Sequence, residues 1–201
     1  MSRNRLLLTQ SLLSAWLWMY KAGDPERAQE DFLKTLRRQP TPRTKPIQDG
    51  IQFENLVAAW CEGEEPEEGH KWAEGIRQVG QIVQGGAFQV AAYRDMAIDG
   101  IPFLLYGRLD VLKAGEIYDI KFSRSYRPGK YLDSPQHPMY FACCPEVGRF
   151  TYLVSDGRDL YWESYTRDET PGIETIVKPF VQYLEFSGLD ELYAEKWRAR
   201  D

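Results

Sequence analysis

Two aspartates and a lysine are the residues of this chain best placed to do chemistry: Asp110, Asp119 and Lys121. The stretch Lys113 to Gly115 reads as a turn between two strands, Ile101 to Leu112 and Glu116 to Ser123. With Leu112 facing Ile117 across that turn, Asp110 falls opposite Asp119, where Cβ atoms lie about 4.5–5.5 Å apart. Alternation puts Arg108, Asp110, Asp119, Lys121 and Ser123 on one face. It puts Leu109, Val111, Tyr118, Ile120 and Phe122 on the other, ready to enter a core. Two carboxylates in register repel each other. A hard cation such as Mg²⁺ removes that penalty, because it takes one or two carboxylates plus waters and substrate phosphates. Lys121 is then placed to hold a water or steady a developing negative charge. The same alternation also fits an exposed hairpin in which Lys121 balances charge, so the spacing by itself leaves both readings open.

The elements that must carry these residues are legible from periodicity. Leu8, Leu12, Trp16 and Tyr20 recur every four residues and predict a helix over Leu8 to Lys21. A second helix is expected over Asp24 to Arg38, with Pro25 at its start. Gln39 to Pro46, with three prolines, must be extended or looped. Further helices are expected from Ile47 to Trp60 and from Lys71 to Gln84, where Gly85-Gly86 stops the pattern. Phe88 to Arg94 reads as a strand joined to Ile101 to Leu112 through Asp99-Gly100, a strong hairpin signal. A helix from Ser134 to Cys143, strands Arg149 to Ser155 and Asp159 to Thr166, and helices Ile173 to Phe186 and Leu189 to Arg198 complete the chain. Helices flanking a central mixed sheet make an α/β or α+β fold. The expectation is a single domain over residues 1–201, with a helical N-terminal arm over 1–46 and a core over 47–201.

Composition narrows the function. The 201 residues are 43% hydrophobic and 27% charged, an ordinary globular mix. A formal charge of -5 argues against a protein that coats nucleic acid through charge alone, yet leaves room for a local groove. The 3 cysteines, Cys61, Cys143 and Cys144, suggest neither a disulfide framework nor the four thiolates of an iron–sulfur cluster. A reducing, cytoplasmic setting fits them best. The N-terminal run is broken by Thr9, Gln10, Ser11 and Ser14 and has no A-x-A-like site, so it reads as a helix rather than a signal peptide. No run reaches the roughly 18 apolar residues that a membrane span needs.

Gly107-Arg108-Leu109-Asp110 followed by Tyr118-Asp119-Ile120-Lys121 resembles the G-x-x-D and D-x-K motifs of the PD-(D/E)XK nucleases. Gln136 and Tyr140 form a Q-x-x-x-Y pair like that of the RecB-like and phage exonuclease branch. Gly50 to Glu54 opens a helix as that branch's acidic first motif does, and Leu8-Thr9-Gln10-Ser11 is similar to the start of many such domains. The ordered set covers nearly the whole chain. It implies a restriction-endonuclease-like core and a Mg²⁺-dependent DNA exonuclease of phage or mobile-element recombination and repair type, with Mn²⁺ able to substitute. It implies that Asp110, Asp119, the Ile120 carbonyl and Glu54 bind metal, and that Lys121 orients or activates the attacking water. Gln136 and Tyr140 would support the site or touch the substrate, and they rank below the carboxylates because they sit one turn away from any metal ligand. The iron–sulfur subgroup of the family is set aside for want of cysteines. DNA is the implied substrate, with a recombination or single-strand-binding protein as a possible partner and no membrane. An endonuclease or resolvase of the same superfamily is the first alternative, and a non-catalytic DNA-binding or repair-accessory module the second. Ser123, Arg124, Arg127 and Lys130 follow the D-x-K strand, where they either line a groove for a phosphate backbone or form a solvated loop. Tyr126 is placed to stack on bases. His137 either donates to a phosphate or is a helix-end histidine without a chemical role.

Overall fold

A computed structural model describes residues 5–40 and 42–199. The basic start of the chain, Thr41 of the proline-rich connection and the last two residues lie outside them. The elements run β1 (Leu6–Thr9), α1 (Gln10–Trp18), α2 (Pro25–Leu36), α3 (Lys45–Cys61), α4 (Ala73–Val83), β2 (Ala87–Ile98) and β3 (Ile101–Lys113). They continue with β4 (Glu116–Phe122), α5 (Gln136–Cys143), β5 (Arg149–Ser155), β6 (Leu160–Thr166), α6 (Glu174–Phe186) and α7 (Asp190–Lys196). This is the expected mixed sheet flanked by helices, an α+β architecture consistent with a restriction-endonuclease-like core. No helix among the described residues is long and apolar enough to cross a membrane.

Local chemistry sets the element ends. Asp24 accepts a hydrogen bond from the Arg27 backbone N–H at 3.1 Å, with Pro25 just behind it, so α2 starts where an N-cap and a proline meet. Asp99-Gly100 and Ala114-Gly115 turn the two hairpins with φ of 49° and 83°, then 50° and 77°. Positive φ at both central residues is the turn that matches strand twist. The first strand differs from expectation. Leu8 reads as the start of a helix, but Leu6, Leu7 and Leu8 pair in parallel with Phe103 to Leu105, and Thr9 caps α1 by accepting from Leu12 N at 3.3 Å. A four-residue strand is too short to show its alternation. Within the stretch expected as a helical arm, Leu8, Leu12, Leu13, Phe32 and Leu36 are fully buried in the main core.

The sheet runs β1-β3-β4-β5-β6, with β2 paired to β3 along its other edge. β3 is antiparallel to β2 from Ile101 to Leu112. Its second edge is shared: β1 pairs with Phe103 to Tyr106, and β4 pairs with Val111 to Lys113. Between those two partners, Gly107 to Asp110 meet no strand on that edge. The G-x-x-D segment therefore lies in a fork of the sheet.

Two apolar clusters cover the sheet. One gathers Leu8, Leu12, Phe32, Phe103, Leu105, Leu109, Phe150 and Phe180. The other gathers Phe53, Val57, Ile76, Val111, Ile120 and Leu153. Leu109 was expected beside Val111, but the two pack in different clusters. The same switch occurs on β2, where Phe88 packs with the second cluster and Val90 with the first. Gln89 between them has φ 53°, in the left-handed region. Alternation is thus broken at the Gln89 and Asp110 level, which lets β3 leave β4 there.

Candidate active site

The hairpin register is the expected one, with Leu112 facing Ile117, but the ladder ends at Val111 and Tyr118. Asp110 is not paired across from Asp119. Its carboxylate turns into the fork, and Oδ2 accepts a hydrogen bond from Ile120 N at 2.9 Å. A side chain thus replaces the ladder bond that the split removes. Beyond this point β4 pairs in parallel with β5, Asp119 beside Tyr152 and Lys121 beside Val154.

Asp119 is 2% exposed. Its Oδ1 accepts from Gln136 Nε2. Its Oδ2 pairs with the Lys121 ammonium, with Nζ at 2.5 Å. Burial raises the Asp110 pKa well above the ordinary carboxylate value, and the Asp119 charge and Glu54 add to the shift. Lys121 and the Ile120 N–H act against it. Burial alone would discharge Lys121, but Asp119 and Asp110 outweigh it and hold the ammonium above its ordinary pKa. Glu54 on α3 is also pushed up by burial and by Asp119, with Lys121 and Arg108 opposing. The four expected ligand and lysine positions therefore share one electrostatic site.

A cleft of about 510 Å³ opens beside it, lined by Thr9, Arg38, Glu54, Arg108, Asp110 and Tyr140 among others. Asp119 and Lys121 do not line this cleft, so Asp110 and Glu54 are the carboxylates that meet it directly.

Helix α5 joins the two halves of the fork. Ser134 Oγ accepts from Gln136 N at 3.2 Å, which starts the helix at the pair Pro135 and Gln136. One face then delivers Gln136 to Asp119 on β4 and Tyr140 to β3, where its hydroxyl donates to Arg108 O at 3.0 Å. The Tyr140 ring occupies the space where a Cβ on Gly107 would sit. Gln136 is therefore in direct contact with a proposed metal ligand rather than one turn away, which corrects its expected position. His137 is 3% exposed, with Nδ1 3.1 Å from Tyr152 Oη and its ring stacked on Tyr165. It is closed off from any phosphate.

The loop after β4 is folded back on itself. Lys130 Nζ donates to Ser123 Oγ at 3.0 Å and to Ser125 O at 2.7 Å. Tyr126 Oη donates to Glu163 at 3.1 Å. Tyr126, Arg127 and Lys130 line a surface groove, whereas Ser123 and Arg124 do not. The sequence reading missed Glu163, which anchors this loop from β6, 37 positions from Tyr126. It also missed Trp18 in the same groove, although that ring falls off the Leu12, Leu13 and Trp16 face of α1. An aromatic off the apolar face was the available signal.

The site fits a divalent cation on its own chemistry. It holds two carboxylates in a low-dielectric fork, Asp110 and Asp119, with the Lys121 ammonium 2.5 Å from Asp119 Oδ2. Among the described residues no three His, Cys, Asp or Glu side chains form a group that could hold a metal ion.

No family model matches the chain, and no curated protein matches it either. Among solved structures, the crystal structure of SSO0001 aligns with 94% of this chain and 79% of its own, with a TM-score of 0.52 and 11% identity. That likeness is one of fold. The crystal structure of LHK-Exo in complex with dAMP aligns with 96% of this chain and 94% of its own, with a TM-score of 0.48 and 16% identity.

Proposed function

We propose that this chain is a metal-dependent nuclease that hydrolyses phosphodiester bonds in DNA, acting as an exonuclease of recombination or repair type. The observation that carries the reading is the Asp119 carboxylate, buried at 2% exposure with its Oδ2 paired to the Lys121 ammonium, beside a second buried carboxylate on Asp110. An arrangement that costs stability without a cation is what a cation site requires. Asp110, Asp119, the Ile120 carbonyl and Glu54 would hold Mg²⁺ or Mn²⁺. Bound there, the ion would polarise a phosphoryl oxygen and acidify a water.

The chain's own groups do the rest. Gln136 fixes Asp119 through Oδ1, which leaves Oδ2 toward Lys121. Asp119 and Asp110 push the Lys121 pKa above its ordinary value, which favours the ammonium. The contribution of Lys121 is to orient the nucleophile and to steady negative charge as it develops on the phosphate. The Asp110 bond to Ile120 N fixes the spacing of the two motif strands. The deciding experiment is nucleotide release from linear and circular DNA in Mg²⁺, with chelator and Asp119→Asn controls. Release from linear DNA alone supports the exonuclease. Nicking of circles supports an endonuclease or resolvase. Binding without any turnover in Mg²⁺ or Mn²⁺ leaves a DNA-binding module.

A further inference from the structure

A second concavity, about 890 Å³, lies between the C-terminal end of α1 and the loop that leaves β4. Its lining combines Trp18 and Tyr126 with Lys21, Arg127 and Lys130, against the single carboxylate of Asp133. The chain as a whole is acidic at -5, so a cationic groove stands out against it. Trp18 is 57% exposed and has no ring partner among the described residues. Arg127 likewise has no ion-pair partner among them. An exposed indole beside cationic side chains suits a ligand that is flat, apolar on its faces and anionic along its edge.

The groove is also prebuilt. Glu163 on β6 accepts from Tyr126 Oη, Gly129 N and Tyr131 N, each at 3.1 Å, and from Tyr165 Oη. Lys21, three residues past α1, pairs with Asp133 of the loop at 2.9 Å in an exposed ion pair that bridges the two walls. A loop held this way loses little freedom when it binds. The groove is linked to the active site along the chain, although the two concavities share no lining residue. The loop begins two residues after Lys121, and α1 carries Ser11 into the Asp110 cleft and Trp18 into the groove. Between those residues the helix rises about 10 Å.

We propose that this groove is the track for one unpaired nucleic-acid strand, with Trp18 as the platform on which a base stacks and Arg127 and Lys130 meeting its phosphates. A single strand is favoured over a duplex because only an unpaired base offers its face to Trp18, whereas a duplex would use the cations alone. The assignment of the ligand rests on the nuclease reading, but binding along the groove does not require turnover.

The test is fluorescence anisotropy with a labelled oligothymidylate of about 12 nucleotides, and with a blunt duplex of the same length, both in chelator so that nothing is cleaved. Trp18→Ala should weaken the single strand roughly 5- to 150-fold, the span that loss of one stacked base implies. Trp18→Phe should restore most of it, and duplex affinity should change by less than about 2-fold. Arg127→Ala should weaken both ligands and lower the salt slope for the single strand by about 0.7. The inference is overturned if the parent does not bind oligothymidylate, if Trp18→Ala binds it as the parent does, or if the duplex weakens equally. A parent that cleaves while Trp18→Ala binds normally loses this inference alone. A parent that binds through Trp18 but never cleaves keeps the track and loses the nuclease reading.

Discussion

The Tyr140 ring lies against Gly107 so closely that a single methyl group on the glycine would collide with it. Gly107 has no need of a left-handed backbone here; what it supplies is the absence of a side chain where α5 crosses the fork. Gly107→Ala should push Tyr140 aside, break its bond to Arg108 O and destabilise the fold by about 1–3 kcal/mol. Tyr140→Phe keeps the ring and loses one hydrogen bond, for about 0.5–1.5 kcal/mol. Urea unfolding of both variants checks the order. A glycine variant as stable as the parent would show that the contact is slack.

Gln136 donates to Oδ1 of Asp119, the oxygen that Lys121 does not hold. Gln136→Leu keeps the volume and leaves a buried carboxylate oxygen unsatisfied, at a cost of about 1–3 kcal/mol or more for a charged group. If Asp119 binds metal, the variant should also bind Mn²⁺ more weakly by calorimetry, because its ligand is no longer held in place. Mn²⁺ affinity equal to the parent's would remove Gln136 from the site's support.

Asp110 carries a conflict between stability and function. Its folded-state pKa is raised by burial and by Asp119. For an acid the sign is then fixed: the folded state holds its proton better than the unfolded chain, and stability is lost as pH rises through the folded value. At neutral pH, without metal, Asp110→Asn should therefore raise the melting temperature. With Mn²⁺ the order should reverse, since a site loaded at 100 times its Kd adds about 2.7 kcal/mol that the variant cannot gain. Thermal melts with chelator and with Mn²⁺ test both halves, and a destabilised metal-free variant would refute the account.

The hairpins were legible because glycine marks both turns: Gly100 and Gly115 take positive φ without steric cost, and the register of Leu112 on Ile117 follows. The carboxylates and Lys121 were legible for the same reason. The face switch at Asp110 was not, because it depends on the left-handed backbone of Gln89 on a neighbouring strand. Nor was the reach of Gln136, since Pro135 and Pro138 fix where α5 starts but not the direction in which it lies. Glu163 was hidden by distance along the chain: a glutamate on an edge strand reads as solvated until the loop it holds is seen folded onto it.

His137 sets a pH dependence unrelated to metal. Burial against Tyr152 and Tyr165 lowers its pKa from 6.5 to about 4. The unfolded chain binds the proton first, so full stability is present above pH 6.5 and declines as pH falls toward 4. The loss is at most about 3 kcal/mol. His137→Gln should flatten the stability profile in that window when the two proteins are compared by urea titration at each pH. Parallel profiles would assign the slope to the carboxylates instead.

Lys121 separates an enzyme from a binding module. Its ammonium sits 2.5 Å from Asp119 Oδ2 with the side chain 32% exposed, so it touches both the buried carboxylate and the space open to solvent. A group that serves the attacking water acts in the transition state and adds little to ground-state binding. Lys121→Ala should thus slow single-turnover cleavage of an end-labelled linear duplex by on the order of 10²-fold or more. DNA affinity in Ca²⁺ should fall far less, because one cationic contact among several is removed. Lys121→Arg should not recover the rate: a planar fork does not replace a compact ammonium held against one oxygen. Removing the lysine also leaves Asp119 buried with no counter-ion, so metal-free Lys121→Ala should be less stable than the parent, and Mn²⁺ should recover part of that loss. Cleavage at the parental rate in Lys121→Ala would end the catalytic assignment, whatever happened to stability.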